Sequence, residues 1–469
     1  MSGRDGLGRA AAARGASPGA VRHFLDRAGA GARTFVAVRE GLPPGPSAPL
    51  PRQALEYVRD PLGMLERCAR EYGEPFTLRV ARGAPFVVFS DPDAVRRVFT
   101  AGPEVLRSGE ANAVFEAGLG PRSLIVLDGE AHMRDRKLVL PPFHGERMRA
   151  YGELMERIAA REARTWTPGR PFPVAEGMRR IALEVIVRAV FGVTDPARVG
   201  LVARRLRTFM EAGTGKAGTY VALMIEPGGL TMRAFNRFNP PKRRVDALVR
   251  EEIARARSDP RLEEREDVLA LLARARFDDG SAMDAEHIRD ELVTLLAAGH
   301  ETTANASAWA LAELARRPEA LERAAADDDY LDAVVKETLR LRTIITFLPR
   351  MTTEPFELLG RRLPAGVRVA PSNHLVHRRP DLYPDPEEFR PERFLERPAG
   401  TYTWIPFGGG TRRCVGAAFA TFEMKTVVRV VARQGRVLPA TDRDEGVGRR
   451  GLTLAPARGG RVVWEPRAA

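Results

Sequence analysis

The sequence predicts a single, mainly helical α+β domain. The longest helical pattern begins at Ser281, which forms a capping box with Asp284, and continues to Arg317, where Pro318 ends it. At ~1.5 Å per residue this helix would be roughly 50 Å long and cross the whole molecule. Three segments have a strand, turn, strand pattern instead: 75–90, 355–371 and 451–466. Because these segments come from both ends of the chain and no repeat or linker divides 52–466, distant strands must pair within one domain.

The remaining elements follow in order along the chain. Residues 1–40 are rich in Gly, Ala and Arg without periodicity, which predicts a mobile tail ahead of one domain over 41–469. The first helix is predicted over 54–73, with Cys68 as a packing residue. Asp91 and Pro92 then open a short helix after the first hairpin.

Composition excludes several classes of protein. Hydrophobic residues make up 44% and charged residues 29%, as in folded globular proteins. Lys and Arg exceed Asp and Glu by 13, but no basic run with interleaved aromatic residues appears, so nucleic-acid binding is not expected. With two cysteines and no apolar run long enough to span a bilayer, we expect a cytoplasmic protein without a membrane span.

The strongest motif lies near the C-terminus, where FGGGTRRCVG precedes a helix. It matches the pattern FxxGxRxCxG at its five fixed positions: Phe407, Gly410, Arg412, Cys414 and Gly416. A cysteine at a helix N-terminus feels N–H dipoles that favour the thiolate, the form that binds iron. The preceding glycines at 408–410 would turn the backbone with positive φ, and Phe407 would shield the sulfur. Taken alone, the cysteine could also be a buried structural residue.

On this motif the chain resembles the cytochromes P-450, and the resemblance covers roughly 40–466. It implies a cytochrome P-450 fold in which haem b lies between the long helix and the Cys414 helix, with Cys414 as the iron ligand. Thiolate donation to such an iron favours O–O cleavage.

A second motif, LLAAGHETTAN, interrupts the long helix. Ala298 and Gly299 are small enough to let a flat macrocycle approach, and the Thr302 hydroxyl can bond the carbonyl four residues back. The family resemblance implies that Thr302 and Glu301 deliver protons to O₂, with Glu301 as the link to solvent. Close packing against a neighbouring helix is the alternative explanation. A zinc hydrolase is rejected, because position 304 is alanine where HExxH needs its second histidine.

The two haem propionates would need cations. AHMRDR matches the family's HxxxR with His132 and Arg136 one helical turn apart, and Arg412 and Arg350 offer two further charges. The resemblance implies propionate binding by all four residues.

A further family pattern is the Glu, Arg, Arg cluster. KETLRLR supplies Glu337 and Arg340 at i, i+3, and FRPERF supplies Arg393. We assign this cluster to the structure beneath the haem, since a bidentate arginine network fixes geometry rather than performing chemistry.

The resemblance implies a monooxygenase that hydroxylates or epoxidises a small lipophilic substrate with O₂. No flavin or iron–sulfur motif is present, so electrons would come from a separate ferredoxin or flavodoxin with its reductase. We expect a monomer. A haem isomerase or dehydratase and a non-catalytic haem-binding protein are alternatives; Glu301 and Thr302 argue against both.

Two residue sets follow from the same resemblance. The expected substrate pocket contains Val105, Phe115, Leu119, Leu295, Ala298, Ile344, Ile345, Phe347 and Leu452. A position in the hydrophobic core is the alternative for each of these apolar residues. The expected docking surface for an acidic electron donor contains Arg134, Lys137, Arg413, Lys425 and Arg429.

Overall fold

The computed structural model describes residues 41–143, 147–211, 215–225 and 239–467. Residues 1–40, predicted as a tail, lie outside this range, so the tail and the domain boundary stay predictions. The described α-helices are α1 (Leu50–Arg59), α2 (Pro61–Tyr72), α3 (Pro92–Thr100), α4 (Ser108–Ala111), α5 (Glu116–Leu119), α6 (Gly129–Val139), α7 (Arg147–Ala163), α8 (Val174–Phe191), α9 (Pro196–Glu211), α10 (Lys216–Met224), α11 (Pro240–Arg257), α12 (Val268–Arg274), α13 (Ala285–Ala315), α14 (Pro318–Ala326), α15 (Asp328–Leu341), α16 (Asn373–His377), α17 (Arg393–Glu396) and α18 (Ala417–Gln434).

The strands are short and form four small sheets in the described part of the chain. They are β1 (Phe76–Leu78), β2 (Phe86–Phe89), β3 (Leu106–Arg107), β4 (Phe172–Pro173), β5 (Arg350–Thr352), β6 (Phe356–Leu358), β7 (Arg361–Leu363), β8 (Arg368–Pro371), β9 (Gly435–Pro439), β10 (Val447–Arg450), β11 (Thr453–Pro456) and β12 (Arg461–Pro466). The largest sheet has the order β1-β2-β8-β5-β3, and the others are β10-β11, β4-β12-β9 and β6-β7. The mainly helical α+β class is therefore confirmed.

Strands distant in sequence pair as predicted, but one predicted hairpin is wrong. β1 and β2 form the antiparallel hairpin, and β2 pairs in parallel with β8, nearly 300 residues later. In 451–466, however, β11 pairs with β10 and β12 pairs with β9 and β4, so the two strands belong to different sheets. Alternation of side chains identifies a strand, whereas the choice of partner depends on contacts far along the chain.

The predicted first helix is two helices. Asp60 separates α1 from α2, and its carboxylate accepts a hydrogen bond from the Gly63 N–H at 3.0 Å. Pro61 lacks a backbone N–H, so it suits the first turn of a new helix and cannot continue the old one. The expected packing role of Cys68 is confirmed, since its side chain is fully buried.

The long helix, α13, is the buried spine of the molecule. Asp284, not the predicted Ser281, caps it by accepting from the His287 N–H at 2.9 Å. Its 31 residues give a length of about 46 Å, close to the expected value. α13 packs against α8, α11 and α18, so side chains at its centre are held by helices on several sides.

Candidate functional site

Cys414 lies in the loop between a 3₁₀ turn at Gly410–Arg412 and α18. The Cys414 N–H donates to the Phe407 carbonyl at 2.9 Å, which closes the loop. Cys414 is exposed, unlike the buried Cys68, and yet protein surrounds it closely enough to desolvate the thiol. The sulfur therefore lies on the wall of an interior space.

Electrostatics at the thiol only partly follow the sequence prediction. Burial raises the pKa of Cys414, while the Gly416 N–H and the charges of Arg136 and Arg413 act to lower it. The backbone N–H therefore favours the thiolate as the sequence predicts, but desolvation of the sulfur opposes it. Desolvation penalises the charged sulfur more than one N–H and two nearby cations stabilise it.

The glycines before the cysteine have different roles. Gly408 and Gly410 adopt positive φ values of 69° and 64°, as predicted. Gly409 is extended with φ −156°, so the prediction of positive φ is wrong there. A Cβ on Gly410 would overlap the carbonyl oxygen of Phe99, so this position also needs a residue without a side chain. Phe407 is half-buried in this loop and packs edge-on against Trp404 with ring centroids 5.9 Å apart.

The centre of α13 presents one accessible face. Between 287 and 311 every residue is buried except Ala297, Ala298, Gly299 and Thr302. The Thr302 hydroxyl donates to the Ala298 carbonyl oxygen at 2.7 Å, the contact predicted from the sequence. Small side chains and one hydroxyl therefore border accessible space in an otherwise buried helix.

Gly299 also serves helix packing. A Cβ at this position would lie 3.1 Å from Ile186 Cδ1 on α8, tighter than ordinary van der Waals contact. The alternative explanation for a mid-helix glycine, close approach of two helices, thus applies here. Contact between Gly299 and haem stays a prediction.

Glu301 is buried and points toward a polar cavity. Its Oε1 accepts from Arg450 Nε at 2.6 Å, and Arg450 comes from β10. The cavity has a volume of about 180 Å³ and is lined by Glu176, Arg179, Arg180, Arg207, Met210, Glu211, His300, Glu301 and Arg450. Glu301 therefore borders a space lined mainly by charged groups, and Thr302 is the next residue on α13.

The four predicted propionate ligands lie together. Burial, with Arg412, Arg136 and Arg350 nearby, lowers the pKa of His132 to about 3, so its imidazole is neutral at physiological pH. Burial also lowers the pKa of Arg350 and of Arg412 to about 10. His132 and Arg136 come from α6, while Arg350 begins β5 and Arg412 belongs to the Cys414 loop.

Negative charge does not balance this cluster. Asp128 is the carboxylate that acts on it: it forms an ion pair with Arg412 and also accepts the N–H groups of Gly109 and Glu110 at 2.7 and 2.9 Å. Within the described residues Arg136 has no hydrogen bond or ion pair. Three guanidinium groups against one carboxylate leave two positive charges, the charge that two carboxylates of a ligand would neutralise. The donor set thus fits a haem with its two propionates.

The Glu337 cluster is confirmed as a buried network. Arg340 Nε and Nη2 donate to Glu337 at 2.7 and 2.9 Å, and Arg393 Nε donates at 3.1 Å. Arg340 Nη1 donates to the carbonyls of His377 and Pro386, both at 2.8 Å, and Nη2 also donates to the Glu388 carbonyl at 3.0 Å. Arg340 thereby joins α15 to the chain that leads to the Cys414 loop.

Two residue sets need revision. Phe347, expected in the substrate pocket, is a core residue stacked between Tyr57 and Phe86 at 5.4 and 5.5 Å. Of the expected docking residues, Lys425 and Arg429 are paired with acids of α15.

Arg134, Lys137 and Arg413 are exposed. Arg134 lies over the Phe277 ring at 4.1 Å, and Lys137 forms an ion pair with the exposed Asp278 at 3.7 Å. Fewer free charges are thus available for docking than the sequence suggests.

Sequence reasoning missed Asp128 and Arg450. Asp128 stands at the start of the HxxxR helix, where an acid is common, and its partner Arg412 is 284 residues away. Arg450 is 149 residues from Glu301. No local pattern in the sequence indicates either pairing.

Comparison with known proteins agrees with this geometry. A sequence model of the family "Cytochrome P450" matches residues 43–446. The chain is 40% identical to cytochrome P450 135B1 and 37% identical to cytochrome P450 138, both of Mycobacterium tuberculosis and both provisional names. These alignments cover 90% and 91% of this chain, and 91% and 97% of the relatives.

Solved structures show the same fold. CYP175A1 from Thermus thermophillus is 28% identical with a TM-score of 0.67, covering 88% of this chain and 96% of its own. Retinoic acid-bound cyanobacterial CYP120A1 reaches a TM-score of 0.78 at 24% identity, covering 91% of this chain and all of its own. Among the described residues, no helix is both long and apolar enough to cross a membrane. By sequence and by fold, the chain belongs to the cytochrome P450 family, whose members are haem-thiolate monooxygenases.

Proposed function

We propose that this chain inserts one atom of O₂ into a lipophilic small molecule, by hydroxylation or epoxidation, with haem b held by Cys414. The observation that carries the proposal is the Cys414 loop meeting a buried cluster of arginines with two uncompensated positive charges. Bound haem supplies reductive cleavage of O₂, in which two electrons and two protons convert the second oxygen atom into water.

The residues around the site would hold this cofactor from two directions. Arg136, Arg350 and Arg412 would neutralise the propionates, and neutral His132 would offer a hydrogen bond rather than a charge. Cys414 would lose its proton on coordinating iron, because a metal ion offsets the desolvation that otherwise raises the thiol pKa. Ala298 and Gly299 leave room along α13 for a flat ring.

Proton delivery would run through Glu301 and Thr302. The Thr302 hydroxyl hydrogen is directed to the Ala298 carbonyl, which leaves the lone pairs of Oγ1 free to accept from a proton donor. Glu301 borders the polar cavity through its ion pair with Arg450. A carboxylate that borders a polar cavity one residue before the hydroxyl is suited to pass protons toward it.

Electrons would arrive from a ferredoxin, or a flavodoxin, with its reductase. Lys137 and Arg413 are exposed, and the charge of Arg413 acts on the Cys414 thiol, so these residues would attract an acidic donor. We further propose a monomeric, cytoplasmic enzyme. A haem isomerase or dehydratase, and a haem-binding protein without catalysis, differ in that neither consumes O₂ and reductant with substrate.

Spectroscopy of a cysteine variant tests the proposal. Cys414→Ser should abolish the red-shifted ferrous carbonyl band that reports a thiolate ligand. The control is Cys68→Ser, which makes the same sulfur-to-oxygen change at a buried cysteine and should keep the band. A wild-type band in Cys414→Ser would refute the assignment of the ligand. Oxygen uptake coupled to product formation then separates a monooxygenase from the two alternatives.

A further inference from the structure

Three metal-ligating side chains meet between α6 and α13, on residues that the site above does not use. They are Asp135, His287 and Glu291, and all three are buried. One donor atom from each lies within 4.8 Å of the other two. His287 and Glu291 are one turn apart on α13, so both project from the same helix face toward Asp135.

Glu291 is the unusual member of this cluster. Its side chain is 0% exposed, and neither carboxylate oxygen has a hydrogen-bond partner among the residues that the structure describes. Burial raises the pKa of Glu291 well above its ordinary value, and the neighbouring acids Asp135 and Asp290 raise it further. The Leu124 N–H lies near enough to lower that pKa slightly, but no contact meets the geometry of a hydrogen bond. Buried polar groups without partners are rare, because each costs its full desolvation penalty.

The other two members face each other across a hydrogen bond that an ion would have to replace. His287 Nε2 lies 2.6 Å from Asp135 Oδ2, and Arg134 Nε is 3.4 Å from the other oxygen of Asp135. An ion ligated at about 2.0–2.1 Å would need these two atoms to separate to about 3.3 Å, a shift of well under one ångström. Side-chain rotation alone can supply that movement.

We propose that Asp135, His287 and Glu291 bind a divalent transition-metal ion of the Zn²⁺ type. Two carboxylates and one imidazole are ligands that such ions accept. A dication would also neutralise two carboxylates that share a buried position, and it would supply Glu291 with the partner it otherwise lacks. The competing arrangement is a protonated Glu291 beside an ordinary Asp135–His287 hydrogen bond.

The ion would act on the haem site through α6. On this helix His132 lies one turn before Asp135, and Arg136 is the residue that follows Asp135. A bond from Asp135 through the metal to α13 would fix α6 against the spine of the molecule. The ion is thus a positioning element for the propionate-binding residues and touches neither substrate nor haem.

Zinc binding by the full-length chain carrying haem tests the proposal. The protein is treated with EDTA, dialysed against ZnCl₂, and analysed for zinc per chain and for thermal midpoint. Glu291→Gln and His287→Ala remove one ligand each, and Glu291→Gln should fold because it replaces a desolvated acid by a neutral side chain of the same shape. Glu286→Gln is the matched control: it lies on the same turn of α13, but its carboxylate is exposed and paired with Arg250.

The expected result is about one more zinc ion per chain in the wild type and in Glu286→Gln than in the two ligand variants. The thermal midpoint should rise with zinc in the first pair of proteins and stay unchanged in the second. Equal zinc content in all four proteins, or a wild type that binds no zinc after dialysis, would overturn the proposal. Because zinc content does not depend on turnover, either outcome can be read whether or not the chain proves to be a monooxygenase.

Discussion

Replacing Glu337 with alanine should destabilise the fold rather than the chemistry. Glu337 is fully buried and accepts four hydrogen bonds: two from Arg340, one from Arg393 Nε at 3.1 Å and one from the Arg390 N–H at 2.8 Å. Its removal leaves two buried guanidinium groups without their counter-charge. Breaking a buried ion pair from one side costs ~3–5 kcal/mol, a large part of the ~5–15 kcal/mol that stabilises a typical fold.

Thermal and urea unfolding of the haem-loaded protein measure this effect. With an unfolding entropy of about 2.1 cal/mol/K per residue over roughly 430 residues, the loss corresponds to a fall in melting temperature of about 3–6 °C. A lower haem content per chain should accompany it, because Arg340 ties α15 to the segment before the Cys414 loop. If the alanine variant does not fold, Glu337→Gln gives a milder version of the same test, because it keeps the shape of the side chain and removes its charge.

Glu251→Ala is the matched control. Its carboxylate pairs with Arg255 at 2.7 Å but is 49% exposed, so its loss should cost less than about 1 kcal/mol. Equal midpoints for the two alanine variants would refute the argument from burial. A haem-replete, fully stable and inactive Glu337→Ala protein would instead assign Glu337 a direct role in the reaction.

Four further substitutions test other parts of the molecule. Thr302→Ala should leave haem and substrate binding intact but divert reductant to peroxide or water, because the hydroxyl on the accessible face of α13 is lost. The amount of product formed per electron consumed measures this diversion. Lys137→Glu and Arg413→Glu should slow reduction by a ferredoxin at low salt, and raising the ionic strength should slow the wild type in the same way, as stopped-flow rates can show. Glu423→Gln should raise the free energy of unfolding at pH 7 by up to about 3 kcal/mol, because burial raises the pKa of Glu423 to about 8.

The sign of the last effect follows from linkage. Folded Glu423 keeps its proton up to about pH 8, whereas the unfolded group ionises near its ordinary value of 4.5, so wild-type stability falls as pH rises between these values. Glu423→Gln should lose that dependence, and a pH profile of stability unchanged from wild type would contradict the prediction.

Thr303→Ala is the control for Thr302→Ala, and Arg255→Glu is the control for the two charge reversals. An unaltered ratio of product to electrons in Thr302→Ala would count against its role in proton delivery. Reduction rates that change neither with salt nor with charge reversal would count against the docking role of Lys137 and Arg413.

Local sequence patterns predicted the parts of the site in which neighbouring residues make the geometry. The Cys414 loop, the Thr302 to Ala298 hydrogen bond and the Glu337–Arg340 pair all lie within one short segment, so spacing alone determines which groups can meet. The long helix was also evident, because a sustained apolar period does not depend on what packs against it. Its first residue was misplaced by three to four positions, since Asp284 competes successfully with Ser281 for the cap.

Only the tertiary structure decided which charges are compensated. Three ion pairs join residues that are from 93 to 284 positions apart in the sequence. They are Arg412 with Asp128, Glu301 with Arg450, and Lys425 with Asp332. The same is true of the unpartnered Glu291, whose environment comes from both α6 and α13.

The sequence by itself determined the family, and it predicts the iron ligand and the set of cations available to the cofactor. Burial then set their state: desolvation raises the pKa of Cys414, makes His132 neutral and leaves two arginine charges without partners. Residue identity limits which protonation states are possible, but the distance to water and to distant charges selects among them, and those distances exist only in the folded chain.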